Sequence, residues 1–489
     1  MIKDKNIVIL GGGTAGWLTA LFSKLIFKDC NITLIESKKV GILGAGEGST
    51  PTLVKFLKEL GINRHDLLKQ TGGTLKNGIC FENWNGDNEK YFHSFQVRNE
   101  LDRFHIPPIF GNDCYNFYLK HLINNNKKID NHTYPPILSY DNKIDINNMS
   151  NSYHFDAHKL AEYLKNIGIE RGIKLHYDEY KNVDTDEHNN ITQLNFESGF
   201  SQKCDFVFDC SGFHRLLIQK HYQTKWTDYQ KHLPIKKAIP FFLKQEEKIK
   251  PYTQAIAMKY GWVWKIPLQH RYGAGYIFDS DYITEEQAFN EVKEVFPDIE
   301  YIRTINFNAG RFEKVWNNNC IAVGLSSGFT EPLEATSIWL AIEQLYHLLH
   351  FLPDMFDNNT NRKKLYNDLV TEDNDSVLNF LYFHYLTKRN DSPFWKEFRD
   401  KNKPPPKIES VINDIKNSGI KTFDLHFGSH RAMFTEQSYL QVGDGLGIFD
   451  KKFKLDPYTN LYPQYKDYRL TVVQHLHKAM DHTDFLKSL

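Results

Sequence analysis

The chain has 489 residues, with 60 Lys and Arg against 60 Asp and Glu, so its formal net charge is zero. That balance gives no bulk electrostatic drive toward nucleic acid or an anionic membrane surface, and it leaves a small molecule as the expected partner. The first ten residues, MIKDKNIVIL, lack the longer h-region and cleavage site of a secretory signal, no apolar run approaches the ~18 residues of a membrane span, and Cys30, Cys80, Cys114, Cys204, Cys210 and Cys320 form neither a CxxC pair nor a zinc-like pattern, so a reduced cytoplasmic protein with buried thiols and no metal is expected.

Along the chain, Ile7 to Leu10 read as a buried strand. Gly11, Gly13 and Gly16 follow in GxGxxG spacing around Thr14 and Ala15, just before the helical run WLTALFSKLI. Strand, tight turn and helix N-terminus in this order let backbone amides face a pyrophosphate, because glycine permits both the turn and the close approach. A second strand, NITLIE, ends at Glu36, where a carboxylate can accept from a ribose 2′-hydroxyl. A dinucleotide site is therefore predicted, although the fingerprint does not itself distinguish FAD from NAD.

The next segment, GILGAGEGSTP, is a glycine loop that predicts Thr50 as N-cap and Pro51 at the first position of a helix burying Leu53, Phe56, Leu57 and Leu60 on one face. Within TGGTLKNGICFENW, Lys76 stands between glycines and before a strand; an arbitrary lysine there would be solvated surface. In YFHSF, His93 beside Phe95 reads by itself as a packed core histidine. HFDAHKLAEYLKNIGIERGIKLHYDE predicts a helix and a strand, with Val183 shortly after, and CDFVFDCSGFHRLLI supplies another buried strand ending in Ser211-Gly212.

Two tryptophans in Trp262-Val263-Trp264-Lys265-Ile266-Pro267 sit at i and i+2, so they project from one face of a strand as a broad aromatic wall. Beyond Pro332, the run EATSIWLAIEQLYHLL predicts an amphipathic helix with Ile338, Ile342, Leu345 and Leu349 toward the core. Its free N-terminal amides near Thr336 and Ser337 would attract an anion. Segments 122–150 and 355–376 read as polar surface insertions or loops, the C-terminal third as helix-rich and aromatic, and no internal repeat is present.

In combination, GGGTAGW, the GE-G-S-T-P loop, K-x-G-I-x-F-x-N-W, WxWxIP, and the stretch VLNFLYFHYLTKRNDSPFW resemble the flavin-dependent halogenases, above all the tryptophan halogenase branch, from about Ile7 to about Phe449. The resemblance implies an α/β flavoprotein fold of Rossmann-like type with an added, mainly antiparallel substrate sheet and a helical C-terminal cap. Residues 1–345 would form the FAD, halide and substrate core, and 346–489 a capping region packed with it as one unit. It implies FAD, used as FADH2, with O2 and a halide ion (chloride, bromide or iodide). No second nucleotide fingerprint is present, so reduced flavin would come from a separate reductase.

Residue by residue, the resemblance makes Gly46, Glu47, Gly48 and Ser49 a flavin loop and puts Val183 at the adenine contact. Leu325 and Ile338 become flavin-packing positions, and Thr336 and Ser337 the halide site. Lys76 would guide a hypohalous species formed from a flavin C4a-hydroperoxide, and Glu334 would stabilise or deprotonate the cationic ring intermediate. Trp262 and Trp264 would wall the route, and His93, Phe95 and Tyr439 would line the pocket of an electron-rich indole- or phenol-like aromatic.

The chain also departs from the pattern. It reads Glu334-Ala335-Thr336-Ser337 where the family usually has E-S-T-G, and Tyr439 where the family has tryptophan. A missing serine hydroxyl removes a relay near the lysine, and a serine in place of glycine alters the room for the anion, so halide preference is open. The alternatives are a flavin monooxygenase acting on aromatics and a flavin-binding protein without halogenating activity; a homo-oligomer is compatible with each.

Overall fold

In a computed structural model, the residues described are 2–41, 44, 46–95, 111–147, 149–357, 360–417, 433–449, 453 and 476–489. The apolar run before the glycine turn forms the strand Asn6–Leu10, in which Ile7, Val8 and Ile9 are wholly buried. Burial on both faces calls for such an unbroken apolar stretch, and it marks the centre of a parallel sheet. Asn6–Leu10 lies between Phe206–Asp209 and Asn31–Glu36, each parallel to it, with Cys320–Ala322 and Lys174–Tyr177 outside them. The antiparallel strand Trp316–Asn317 completes this six-stranded sheet.

Helix Thr14–Ile26 leaves the glycine turn and buries Trp17, Leu18, Leu21 and Phe22 against the sheet. Helix Ala157–Glu170 packs beside it, capped by Asp156, whose carboxylate accepts from the amides of His158 and Lys159. A Cβ at Gly168 would stand 2.7 Å from the Trp17 ring, so glycine is what lets the two helices close.

The second sheet has seven strands in the order Ile305–Asn306, Lys237–Leu243, Tyr272–Phe278, Gly261–Pro267, Thr253–Ala257, Gly78–Glu82 and Lys90–Ser94. All pairings are antiparallel except the one between Thr253–Ala257 and Gly78–Glu82. Strand periodicity divides its residues: Val263 and Tyr276 pack with Ala288 and Val292 of helix Glu285–Val295, while Trp262 and Trp264 take the opposite face. Trp264 lies opposite Gly275 in the register, and a Cβ at Gly275 would fall 2.1 Å from the indole, which occupies the space of the missing side chain.

A small sheet links the two large ones. Glu47–Gly48 and Thr74–Lys76 both pair with Ser152–Phe155, so two distant segments meet on one strand. His154 secures the junction: its Nδ1 lies 2.9 Å from the Thr74 hydroxyl and its Nε2 2.9 Å from that of Thr253 in the seven-stranded sheet.

The described C-terminal part is mainly helical, as expected. Residues 360–376, expected to be loop, belong to the 25-residue helix Thr360–His384. Its many Asn and Asp residues disfavour helix on propensity. Tertiary packing overrides that preference, since Tyr366, Val370 and Val377 are buried on one side and Asn367 accepts the amides of Val315 and Trp316. Segment 122–150 likewise contains the buried helix Tyr134–Tyr140 and the strand Lys143–Ile144, which pairs with Met480–Asp481 near the chain end.

Two smaller expectations, at Leu349 and Thr50, differ too. Leu349 is 39% exposed, because helix Thr336–Leu348 ends before it and Leu348 takes the core position. Thr50 stands at the N-cap of Pro51–Glu59, yet its hydroxyl makes no capping bond and is buried without a partner. The thiols of Cys30, Cys80, Cys204, Cys210 and Cys320 are free and buried, while the Cys114 side chain lies outside the described residues. Among the described residues no helix is long and apolar enough to cross a membrane.

Candidate active site

The nucleotide turn is shaped for close backbone approach. Gly11 has φ +117° and donates its amide to Ile35 O at 2.8 Å, and a Cβ there would lie 2.2 Å from Cys210 O. A Cβ at Gly16 would lie 1.9 Å from Gly11 O, so neither position admits a side chain. At Gly13, the residue before the helix, the same construction meets nothing within 4 Å. The Glu36 carboxylate arches over Gly12; burial raises its pKa, with Lys165 and Tyr177 opposing.

A cavity of about 530 Å³ opens from this turn. Gly13, Thr14 and Ala15 line it on the nucleotide side, and Gly46, Glu47 and Gly48 cover it from the glycine loop. Leu325 and Ile338 supply apolar wall, and Lys76, Trp262, Trp264 and Ser337 also face it. Glu47 is the only carboxyl in the lining among the described residues, and burial, followed by the nearby Asp156, pushes its pKa up to about 7.

An open glycine cradle, a carboxylate at the end of the second strand and a mostly apolar chamber fit a dinucleotide with a flat ring system, which is to say FAD. Among the described residues there is no group of three or more His, Cys, Asp or Glu that could hold a metal ion.

Gly11, Gly16, Glu36, His93, Phe95 and Glu334 lie outside the lining itself, and so do Ser49, Val183, Thr336 and Tyr439. Ser49 is buried, its hydroxyl 2.6 Å from that of Ser152 and donating to Tyr153 O at 2.9 Å, so it anchors the glycine loop from behind. Val183, on strand Tyr180–Thr185, packs toward the cluster of Val8, Leu10 and Ile35. Thr336 is wholly buried with its hydroxyl 3.5 Å from that of Thr330, while its neighbour Ser337 lines the cavity. Tyr439 is a core residue of helix Glu436–Leu446, its ring 4.9 Å from that of Phe380 and 5.0 Å from that of Phe383.

Lys76 is fully buried, and among the described residues its Nζ has no hydrogen-bond partner. It lies 5.5 Å from the centre of the Phe95 ring and would be 3.2 Å from a Cβ at Gly48. Burial pulls its pKa down to about 8 against the attraction of Glu334. An unpaired buried amine is costly unless something else occupies its surroundings during use, and such perturbed groups collect at functional sites.

Glu334 ends the 3₁₀ turn Pro332–Glu334, after which Ala335 adopts φ 55° and starts helix Thr336–Leu348. Left-handed backbone at a residue with a Cβ is strained, and it separates the turn that carries Glu334 from the helix that follows. Its carboxylate accepts from His93 Nδ1 at 2.9 Å and from His384 Nε2 at 2.8 Å. Burial alone would raise its pKa, but His93 and His384 hold it at about 2. His384 was not singled out in the sequence. Its own Nδ1 donates to Phe380 O at 2.8 Å, four residues back on the long helix, which directs Nε2 to Glu334. The HY pair of that helix carried the signal, although it reads there as a feature of the fold.

Together the cradle, the chamber and the lysine beside a charged carboxylate define a flavin-dependent halogenase, and comparison with known proteins agrees. The tryptophan halogenase family model matches residues 6–460. The chain belongs to that family.

It is 29% identical to the tryptophan 7-halogenase RebH of Lentzea aerocolonigenes, over 91% of this chain and 90% of the relative. To the tryptophan 6-halogenase ThaL of Streptomyces albogriseolus it is 30% identical, over 92% and 90% respectively. Among solved structures, the flavin-dependent halogenase Xcc4156 from Xanthomonas campestris superposes with a TM-score of 0.87 at 27% identity, covering 100% of this chain and 98% of that one. The reaction is therefore FAD- and O2-dependent halogenation of an aromatic substrate.

Proposed function

We propose that Lys76 guides an electrophilic halogen, formed from chloride, bromide or iodide, onto one position of an electron-rich indole- or phenol-like ring. The single observation carrying this reading is the Nζ of Lys76, which lines the cavity, is buried without a partner among the described residues and has its pKa lowered to about 8. Bound reduced FAD supplies the electrons with which O2 becomes reactive toward halide. Gly11, Gly13 and Gly16 admit its pyrophosphate, Glu36 its ribose, and Leu325 and Ile338 its ring system. The amides that open helix Thr336–Leu348 attract the halide, beside Ser337.

Lys76, cationic below pH about 8, hydrogen-bonds the hypohalous species and orients it, and its neutral form can carry the halogen as a haloamine. Glu334, kept ionised by its two histidines, stabilises the positive charge that the ring acquires and accepts its proton. His93 and Phe95, which stand next to Glu334 and Lys76 respectively, flank the ring.

Further parts of the reading are a separate reductase supplying FADH2 and a cytoplasmic location, the latter supported by the five free, buried thiols. Residues 1–345 and 346–489 work as one unit, since Phe81 and Trp262 share a core cluster with Phe380 and Tyr385.

Mass spectrometry of an electron-rich aromatic library, incubated with the protein, FAD, a flavin reductase, NADH and O2, tests the reading, with chloride, bromide and iodide in separate runs. The expected result is a halogen mass shift that needs protein, halide and flavin reduction. Products 16 Da heavier regardless of halide would move the assignment to a monooxygenase.

A further inference from the structure

Behind the aromatic wall runs a line of hydrogen bonds that the reaction just described leaves unused. Trp262 Nε1 donates to the Tyr385 hydroxyl at 3.0 Å, and Tyr385 donates onward to Glu331 Oε1 at 2.6 Å. All three side chains are at least 99% buried. The second Glu331 oxygen, Oε2, is buried without a partner, and among the described residues no lysine, arginine or histidine pairs with this carboxyl. Glu334, three residues later, is held by two histidines. One short segment thus carries two carboxyls in opposite electrical settings.

An indole in a cavity wall can turn over about its terminal side-chain torsion, which is broad and roughly two-fold. The backbone beneath Trp262 is held between two strands, opposite Ala257 on one side and Ile277 on the other. Trp264 touches the ring only edge-on, at 6.4 Å between centroids. The polar tip is therefore the part of Trp262 that distinguishes one ring orientation from the flipped one. In the flipped ring, Nε1–H would leave Tyr385 and remain buried without an acceptor, or turn toward the cavity.

We propose that Tyr385 and Glu331 are positioning residues that fix the Trp262 indole in the cavity wall, and that this anchor keeps oxidised halogen on the route to substrate instead of letting the oxidant escape to water. The proposal rests on the reading of Trp262 as the wall of the reaction route. Glu331 performs this role as a neutral acid: burial pushes its pKa up to about 8, against the bond from Tyr385, and an anion would leave Oε2 as an uncompensated buried charge. Its neutral form needs only to accept from Tyr385, which an amide can do equally well.

The experiment uses the full-length protein containing 5-fluorotryptophan, with the Trp262 ¹⁹F resonance assigned through Trp262→Phe, in the Tyr385→Phe, Glu331→Gln, Glu331→Leu and Lys76→Ala backgrounds. Halogenated product and free hypohalous acid, trapped as the haloamine of added taurine, are counted per reduced FAD consumed, and FAD affinity is measured separately. Tyr385→Phe keeps the stacking on Phe398, whose ring centroid is 4.5 Å away, so the fold retains its packing there. Tyr385→Phe and Glu331→Leu are expected to shift or broaden the Trp262 signal and to lower product per FADH2 about fivefold or more, free hypohalous acid rising in step, with FAD affinity within about twofold. Glu331→Gln is expected to preserve both readouts.

An unchanged signal and unchanged coupling in Tyr385→Phe would overturn the anchor. Glu331→Gln as damaging as Glu331→Leu would overturn the neutral-acid role. Lys76→Ala separates this proposal from the functional reading, since it should lose product while the Trp262 signal stays in place.

Discussion

Replacing Glu334 by glutamine should lower the pH at which Lys76 gives up its proton. In the folded protein burial brings that amine from 10.5 to about 8, and Glu334 is the charge that limits the fall. At about 1.4 kcal/mol per pH unit, the difference amounts to roughly 3 kcal/mol between the charged and neutral forms. Because the folded pKa lies below the unfolded one, the unfolded chain binds the extra proton between pH 8 and 10.5. Stability gains from this group as pH rises through that window, and the cost of the buried cation is fully present below it.

Glutamine removes the opposing attraction without removing the side chain, so the window extends downward. Partial acylation of the FAD-free protein with a small reagent across pH 6 to 10, followed by mass spectrometry of the peptide carrying Lys76, reads the midpoint directly, because only the neutral amine reacts. The midpoint should lie near 8 in the native protein and about half a pH unit or more lower in the variant, as expected for loss of a nearby opposite charge. An unchanged midpoint would mean that the two groups do not sense each other, and would refute the coupled pair on which the proposed proton handling depends.

Other perturbations follow from the same geometry. Lys76→Ala should abolish halogenated product while FADH2 oxidation continues, seen as peroxide release; retained regioselective halogenation would remove the lysine from the chemistry. Gly275→Leu must displace Trp264, whose indole already stands 2.1 Å from the first added carbon, and thermal or urea unfolding should show a loss of about 1–3 kcal/mol. FAD affinity, followed by flavin fluorescence quenching, should weaken as pH rises through about 7, where Glu47 ionises in the cofactor chamber and repels the pyrophosphate, and Glu47→Gln should flatten that dependence.

The parts of the molecule legible in the sequence are those where one local pattern serves one physical need. The run before Gly11 had to be a doubly covered strand, the glycines a tight turn, and the alternation in WVWKIP a wall with two faces. Long-range packing obscured the rest. Residues 360–376 of the helix Thr360–His384 read as loop because they are rich in Asn and Asp, and no local scale registers that Asn367 accepts from the distant amides of Val315 and Trp316. Ser49 and Tyr439 were singled out by motif position, while their surroundings make them supports behind the cavity and within the core. His384 and Glu331 gain their significance only from partners 50 and 54 residues away, Glu334 and Tyr385.

The parallel pairing of Gly78–Glu82 with Thr253–Ala257 bears on how the enzyme comes into being. Ile79 finds Thr253 only after the intervening chain has been drawn into a closed loop, and parallel contacts of such reach are slow to form. Lys76 and the tryptophan wall lie on either side of that junction, so neither stretch possesses a reaction chamber by itself. During synthesis the nucleotide turn emerges early, yet the chamber it serves is completed late, after the long helix that carries His384 has docked. A ribosome-bound chain is thus expected to pass through a stage that has the glycine turn but cannot confine a reactive halogen, and the capacity for the chemistry arrives together with the walls that contain it.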